Sequence, residues 1–385
     1  MSGGETGPGG RSLAGWSEWS GSPVGLPQGD LDTPALVVDL DVLDRNVARM
    51  AATFRRAGVG WRPHTKGIKV PALAHRLLAA GAFGVTCAKV SEAEVMVGAG
   101  IRDVLIANQV IGVAKTRRLA QLCTQADVVV ATDSRVGVAQ LARAAAEAGT
   151  APRVVVEVEV GMGRCGVQPG DAVVALAQYV AEAAPLRFAG VMAWEGHTAA
   201  MPDQEAKVGA IRTAVGKLVD SAEACRRAGL PVEIVSCGGT GTYQTTAHLA
   251  GVTEVQAGGG VFGDVHYRDD YRVDHECALT VLTTVISRPT PHLIVTDAGF
   301  KALSATHAVP EPVGLPAGAL GEVRLSAEHG RVRLAEPDET VGVGDKLPFV
   351  VGYSDSTVML HDVLYAAQGG VVRAVWPVAG RGKLQ

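Results

Sequence analysis

Lys66 stands in the stretch RPHTKGIK, residues 62–69, directly after a short β-like run and ahead of an apolar helical run. The ordinary fate of such a residue is a solvated loop lysine. The chemically specific one is an amine that condenses with a carbonyl to form a Schiff base. Lys69 and Lys89 are its rivals, but Lys69 opens the following helix and Lys89 precedes an acidic helical stretch, so both read as solvated. Later in the chain, GMGRCG (161–166) carries Arg164, WEGH (194–197) carries Trp194 and His197, and two glycine runs follow, CGGTGT (237–242) and AGGG (257–260). Glycines let backbone N–H groups approach phosphate oxygens closely. Gly239, Thr240, Gly258 and Gly259, with the hydroxyl of Ser236, therefore read as a phosphate site. A phosphate at one end of a pocket and a lysine at the other suggest pyridoxal 5'-phosphate, with Lys66 on the aldehyde and His64 of the HTK triplet beside it.

The elements that must position these residues can be counted. Apolar runs at 58–63, 83–88, 103–108, 127–132, 153–160, 187–194, 232–237 and 253–258 alternate with segments of helical period such as VPALAHRLLAAG. Eight parallel strands with intervening helices predict a TIM (β/α)8 barrel, in which reactive residues sit after strand C-termini. HTK follows the first run, GMGRCG the fifth, WEGH the sixth, CGGTGT the seventh and AGGG the eighth. No GxGxxG opens the first helix, which disfavours an open doubly wound sheet. After about residue 270 the texture becomes strand and turn, predicting a C-terminal antiparallel β-domain over 271–385 behind a barrel over 31–270. The run ALVVDL (35–40) precedes the eight and is a candidate member of that β-domain, and residues 1–30, rich in Gly, Ser and Pro, read as a flexible tail.

Within 385 residues, 47% hydrophobic and 19% charged content describe a well-packed globular chain, and a net charge of −4 gives no general attraction to nucleic acid or acidic membranes. Neither a signal peptide nor an apolar run long enough to span a bilayer is present, so a cytoplasmic protein with a small-molecule partner is expected. The six cysteines show no metal or disulfide spacing.

Taken in order, DTPALVVDLDVLDRNV, RPHTK, GMGRCGV, CGGTGTY, VQAGGGVFGD, DAGFKALS and TVMLHD resemble the D-threonine aldolase and D-serine dehydratase family, alanine-racemase-like fold type III pyridoxal-phosphate enzymes. The resemblance runs from about residue 31 to 375. It implies that Lys66 is the Schiff-base lysine, that Arg164 lies near the pyridine nitrogen, that Gly239, Thr240, Gly258 and Gly259 hold the phosphate, and that Trp194 stands where a tyrosine often packs near the cofactor. It also implies a homodimer. Family members carry a histidine and, two residues on, an aspartate or cysteine that bind a divalent metal. Here GYSDSTVMLHD puts Tyr353 at the histidine position and Asp355 at the acidic one, while Ile68 replaces a histidine expected near the lysine. Asp355 alone is left to hold magnesium or manganese with water and substrate oxygens. Tyr353 is otherwise a metal-free base or hydrogen-bond donor.

The leading expectation is a lyase that splits a β-hydroxy-D-amino acid into glycine and an aldehyde, with His197, Tyr353 or metal-bound Asp355 taking the hydroxyl proton. A dehydratase of D-serine or 3-hydroxy-D-aspartate and an aldehyde-transferring variant are the alternatives. Racemisation would need a second base on the opposite face, for which the sequence offers no clear residue. A non-catalytic cofactor carrier would lack the β-domain.

Overall fold

The structure, a computed structural model, describes residues 22–385, so the tail expected over 1–30 lies outside the described residues for its first 21 positions. The eight apolar runs become strands β2 (Gly60–Trp61), β3 (Val85–Cys87), β4 (Asp103–Ile106), β5 (Asp127–Thr132), β6 (Arg153–Glu157), β7 (Arg187–Met192), β8 (Ile234–Cys237) and β9 (Glu254–Val255). All neighbours are parallel, in the order β2-β9-β8-β7-β6-β5-β4-β3. A bridge between His64 and Thr86, with the Thr86 N–H donating to the Pro63 carbonyl at 2.9 Å, closes the ring between the first two strands. The eightfold barrel is therefore present.

Alternation along each strand sorts the apolar side chains into two layers. Leu105, Val129, Ala131, Val155, Ala189, Met192 and Ile234 form the barrel interior. Their sequence neighbours Val104, Ile106, Val128, Val130, Val154, Val156, Val191 and Val235 belong to the larger core shared with the helices. Strand β6 ends three residues before the apolar run does, because Glu159 N–H donates to the Val167 carbonyl and Val167 N–H to the Glu157 carbonyl, both at 2.9 Å. The chain folds back there, and the glycine-rich loop becomes a closed turn.

A second sheet is built mostly from β10 (Leu279–Thr290), β11 (Leu293–Thr296), β12 (Glu311–Pro312), β13 (Leu320–Leu325), β14 (Gly330–Leu334), β15 (Lys346–Val350), β16 (Val363–Gln368) and β17 (Val371–Pro377). The N-terminal strand β1 (Ala35–Asp39) lies inside it, antiparallel to β10 and parallel to β16. Residues just before β1 run along β17, with the Gly25 N–H donating to the Val372 carbonyl at 2.8 Å. Helix α1 (Leu40–Ala57) follows β1 without a loop. Its N-terminus is capped by the Asp39 carboxylate, which accepts from the N–H groups of Asp41 and Val42, and Gly58 at φ 69° ends it in the left-handed region. Phe54 of α1 stacks on Trp61 of β2 at 5.5 Å, so the first 40 described residues tie the two sheets together.

Candidate active site

The HTK triplet forms a single 3-10 turn, Thr65–Gly67, beyond β2. The His64 Nδ1 accepts from the Lys66 N–H at 3.3 Å, and the Thr65 hydroxyl donates to the Thr86 carbonyl at 3.0 Å and to Glu92 at 3.1 Å. These bonds fix the loop and leave the Lys66 side chain 48% exposed toward a cavity of about 310 Å³. Lys69, expected in solvent, is buried instead: it holds φ 55° and places Nζ 4.0 Å from the buried carboxylate of Glu92. It supports the loop from beneath.

Asp355 reaches Lys66 from the second sheet. Its Oδ2 accepts from Lys66 Nζ at 2.5 Å, and only 13% of its side chain is exposed. The approach requires a glycine at 67, since a Cβ there would lie 2.0 Å from Asp355 Oδ1. The turn carrying Asp355 is held in turn by the barrel: the buried carboxylate of Asp264 accepts from the Tyr267 N–H at 2.7 Å and the Ser354 N–H at 2.8 Å. Burial alone would raise the Asp355 carboxyl, but the Lys66 ammonium and the Tyr353 hydroxyl hold it below the ordinary aspartate value. The Asp355 charge raises Lys66 above the ordinary lysine value against the cost of burial. Burial, and then the Asp355 charge, push Tyr353 up, so its phenol stays protonated. His64 is lowered to about 3 by burial and by Lys66, and is neutral in the working range.

The two glycine loops line the same cavity. A Cβ at Gly258 would lie 2.2 Å from the His64 carbonyl oxygen, and one at Gly239 would lie 2.5 Å from the Trp194 ring, so neither position accepts a side chain. The Thr240 hydroxyl accepts from the Gly260 N–H at 2.9 Å and clamps the loops together. Among the described residues no acceptor pairs with the N–H groups of Thr240, Gly258 or Gly259. Beneath them Glu195, fully buried, accepts from the Gly238 N–H at 3.2 Å and from the hydroxyls of Thr242 and Thr246, both at 2.7 Å.

On the opposite wall the Glu159 carboxylate gathers the N–H groups of Gly161 at 2.5 Å, Gly163 at 2.8 Å and Arg164 at 3.2 Å. That turn presents the Arg164 guanidinium to the cavity, 3.6 Å from the buried Glu157, which also accepts from Gln109. Glu157 has the same parity as the inward Val155, a period-two signal present in RVVVEVEV.

Of the residues picked from sequence, the structure brings His64, Lys66, Arg164, Trp194, Gly239, Thr240, Gly258, Gly259, Tyr353 and Asp355 to one cavity. Two are not brought there. His197 is exposed outside the lining residues, its imidazole lying over Gly161, because the Gly196–Thr198 turn rotates it away. Ser236 is wholly buried and accepts from Gln256 Nε2 at 2.9 Å, so it orients Gln256, itself a lining residue. Sequence reasoning missed Glu157, inside the 153–160 run, Glu195, directly after the 187–194 run, and Asp264, beyond the second glycine run, and it missed Tyr271 and Asn108 of the lining.

A phosphorylated aldehyde cofactor fits this donor set: one amine, three unpaired N–H groups between glycines, and a guanidinium across the cavity. A divalent metal does not fit. Among the described residues no three His, Cys, Asp or Glu side chains converge, and Asp355 is already taken by Lys66.

Residues 38–266 match the alanine racemase N-terminal domain family and residues 278–367 a putative serine dehydratase domain. The chain is 38% identical to 3-hydroxy-D-aspartate aldolase of Paracoccus denitrificans strain Pd 1222, over 93% of this chain and 94% of that one. It is 37% identical to D-threonine aldolase of an Arthrobacter species, over 93% and 95%. The crystal structure of D-threonine aldolase from Filomicrobium marinum superposes with a TM-score of 0.91 at 37% identity, covering 94% of this chain and 99% of that one. D-threo-3-hydroxyaspartate dehydratase from Delftia sp. HT23 superposes with a TM-score of 0.82 at 28% identity, covering 91% and 98%.

Proposed function

The chain belongs to the D-threonine aldolase and D-serine dehydratase family of alanine-racemase-like, fold type III pyridoxal-phosphate enzymes, and from that premise we propose that it cleaves the Cα–Cβ bond of a β-hydroxy-D-amino acid into glycine and an aldehyde. The observation that carries the reading is the Lys66–Asp355 pair in a cavity that is also lined by glycine loops with unpaired backbone N–H groups.

Lys66 is the residue that holds the cofactor aldehyde, Gly239, Thr240, Gly258 and Gly259 its phosphate, and Arg164, His64 and Trp194 its ring. When bound, the cofactor supplies a sink for the electron pair left at Cα. An arginine near the ring keeps that sink moderate, because a guanidinium does not give up its proton. Lys66 Nζ, in its free amine form, is the base for the β-hydroxyl, since the carboxylate 2.5 Å away stabilises the ammonium that results. The oxygen–hydrogen bond breaks toward Nζ, the aldehyde C=O forms as the Cα–Cβ bond breaks, and the same proton is returned at Cα to give glycine. Atoms and electrons balance without a further reactant. Tyr353, protonated, donates to oxygen and is not a base.

Among the described residues lining the cavity Lys66 supplies the one amine, in keeping with cleavage. Exposed Ile111, Val113 and Val136 in and after the loops that follow β4 and β5, and Phe300, Val309 and Val313 in the loops between β11 and β13, support a homodimer in which each set covers the other on the partner. Six unpaired cysteines support a reducing, cytoplasmic setting. No helix among the described residues is long and apolar enough to cross a membrane.

The test is product analysis of the cofactor-loaded protein with D-threonine and D-serine. Acetaldehyde with glycine from D-threonine supports the reading. An oxo acid with ammonia, and no glycine, overturns it in favour of dehydration.

A further inference from the structure

We infer that this protein handles the substrate's β-hydroxyl without a divalent cation, using the Tyr353 hydroxyl and the Lys66–Asp355 pair in its place. The inference rests on the lyase reading above and assigns the groups that act on the β-oxygen. Three features of the site carry it.

The first is competition for one carboxylate. A hard cation such as magnesium or manganese takes carboxylate oxygens as its strongest protein ligands. Asp355 is the acidic residue facing this part of the cavity, and its Oδ2 already accepts from Lys66 Nζ at 2.5 Å. A cation placed on it would lie against Lys66 Nζ, which carries positive charge in the cofactor-free protein and again whenever it has taken the hydroxyl proton, and like charges at that range repel. The glycine at 67 shows that the close approach of Asp355 to the lysine loop is built in, since any side chain there would push the carboxylate out.

The second is the chemistry of the neighbours. Two residues before Asp355 stands Tyr353, whose neutral phenol donates a hydrogen bond where an imidazole would offer a lone pair. Position 68, where the family pattern has a histidine, is Ile68 and is fully buried in the core. His64 faces the cavity, but its Nδ1 is committed to the Lys66 N–H.

The third is rigidity. The Tyr353 ring is walled by His266 at 5.0 Å, His307 at 5.0 Å and Tyr267 at 5.8 Å, all edge-on, so the ring is fixed and only its O–H turns, toward Asp355 in this structure and toward a substrate oxygen when one is bound. His307 holds this wall with φ 75°, a conformation side chains rarely adopt. An O–H donor on a fixed ring and the ammonium that Lys66 becomes on taking the hydroxyl proton together supply what a cation would: positive potential at an oxygen that gains negative charge as its proton leaves.

The experiment uses the cofactor-loaded full chain. Manganese is titrated against it and followed by the electron paramagnetic resonance of free Mn²⁺, while D-threonine cleavage is measured with and without EDTA. The expected result is an undiminished free-Mn²⁺ signal and a rate untouched by EDTA. Tyr353→Phe, which keeps the ring wall and removes the donor, should lower kcat by about 10²-fold with an unchanged cofactor absorbance. Stoichiometric Mn²⁺ uptake, or a rate lost to EDTA and restored by Mn²⁺, would overturn the inference, as would an unaltered kcat in Tyr353→Phe. If D-threonine is not cleaved at all, the lyase reading falls by itself, and the manganese titration still decides this one: bound Mn²⁺ refutes it and free Mn²⁺ supports it.

Discussion

Lys66 and Asp355, 289 positions apart and carried by different sheets, meet at 2.5 Å across the mouth of the cavity. Each changes the other's protonation in the direction that keeps both charged. The Lys66 value is raised, so its share of stability is complete below the ordinary lysine value of 10.5 and fades as pH rises through the raised one. The Asp355 value is lowered, so its share is complete above the ordinary aspartate value of 3.8 and fades as pH falls through the lowered one. For Asp355→Asn, the deficit in melting temperature of the cofactor-free protein should thus stay constant between those limits and shrink on the acid side. Thermal melts across pH check this, and a deficit that vanishes at neutral pH would remove the pair as a stabilising contact.

Gly67→Ala should fold but lose activity. Its new methyl would occupy space 2.0 Å from Asp355 Oδ1, so the carboxylate must withdraw while the buried Ile68 and Thr65 beside it stay in place. Cleavage should fall by about 10²-fold, the scale of a misplaced acid–base group, with cofactor still bound. Wild-type turnover in this variant would show that the contact is dispensable.

On the proposed reading Glu195 is a positioning residue for the phosphate loop, since its carboxylate collects one N–H and two hydroxyls and is not among the residues lining the cavity. Glu195→Ala leaves three buried donors without an acceptor and should weaken cofactor binding by about tenfold or more, measured by equilibrium dialysis of the cofactor. Glu195→Gln, which retains an acceptor oxygen, should recover part of that affinity. Equal losses in both variants would reduce Glu195 to a packing role.

His197→Ala should cleave substrate at the wild-type rate and with the wild-type pH profile. The imidazole is solvent-exposed above Gly161 and does not line the cavity. A large loss of kcat in this variant would mean that the turn at Gly196–Thr198 rearranges when substrate enters.

Local pattern determined much of this protein by itself. Alternating apolar runs and helical segments specified eight parallel strands, because inward and outward valines along each strand must be covered on both faces. Glycine runs after the last two strands marked the loops proposed to hold the phosphate, since close backbone approach excludes a Cβ whatever the surroundings. Lys66 was legible for the same reason, as a lysine at a strand's C-terminal end. Tertiary structure alone decided which side chains share a volume. Helical and strand periods say nothing about a turn of three residues, so the rotation that sends His197 out and the fold-back that delivers Arg164 came only with the three-dimensional loops. Nor does local sequence reveal a partner on another element: Lys69 is buried with Nζ 4.0 Å from Glu92, and Asp355, 289 positions from Lys66, meets it because Asp264 holds the Ser354 N–H against the barrel. Charge pairing in a buried site is a property of distance, and distance between remote segments is fixed by the packing of the two sheets.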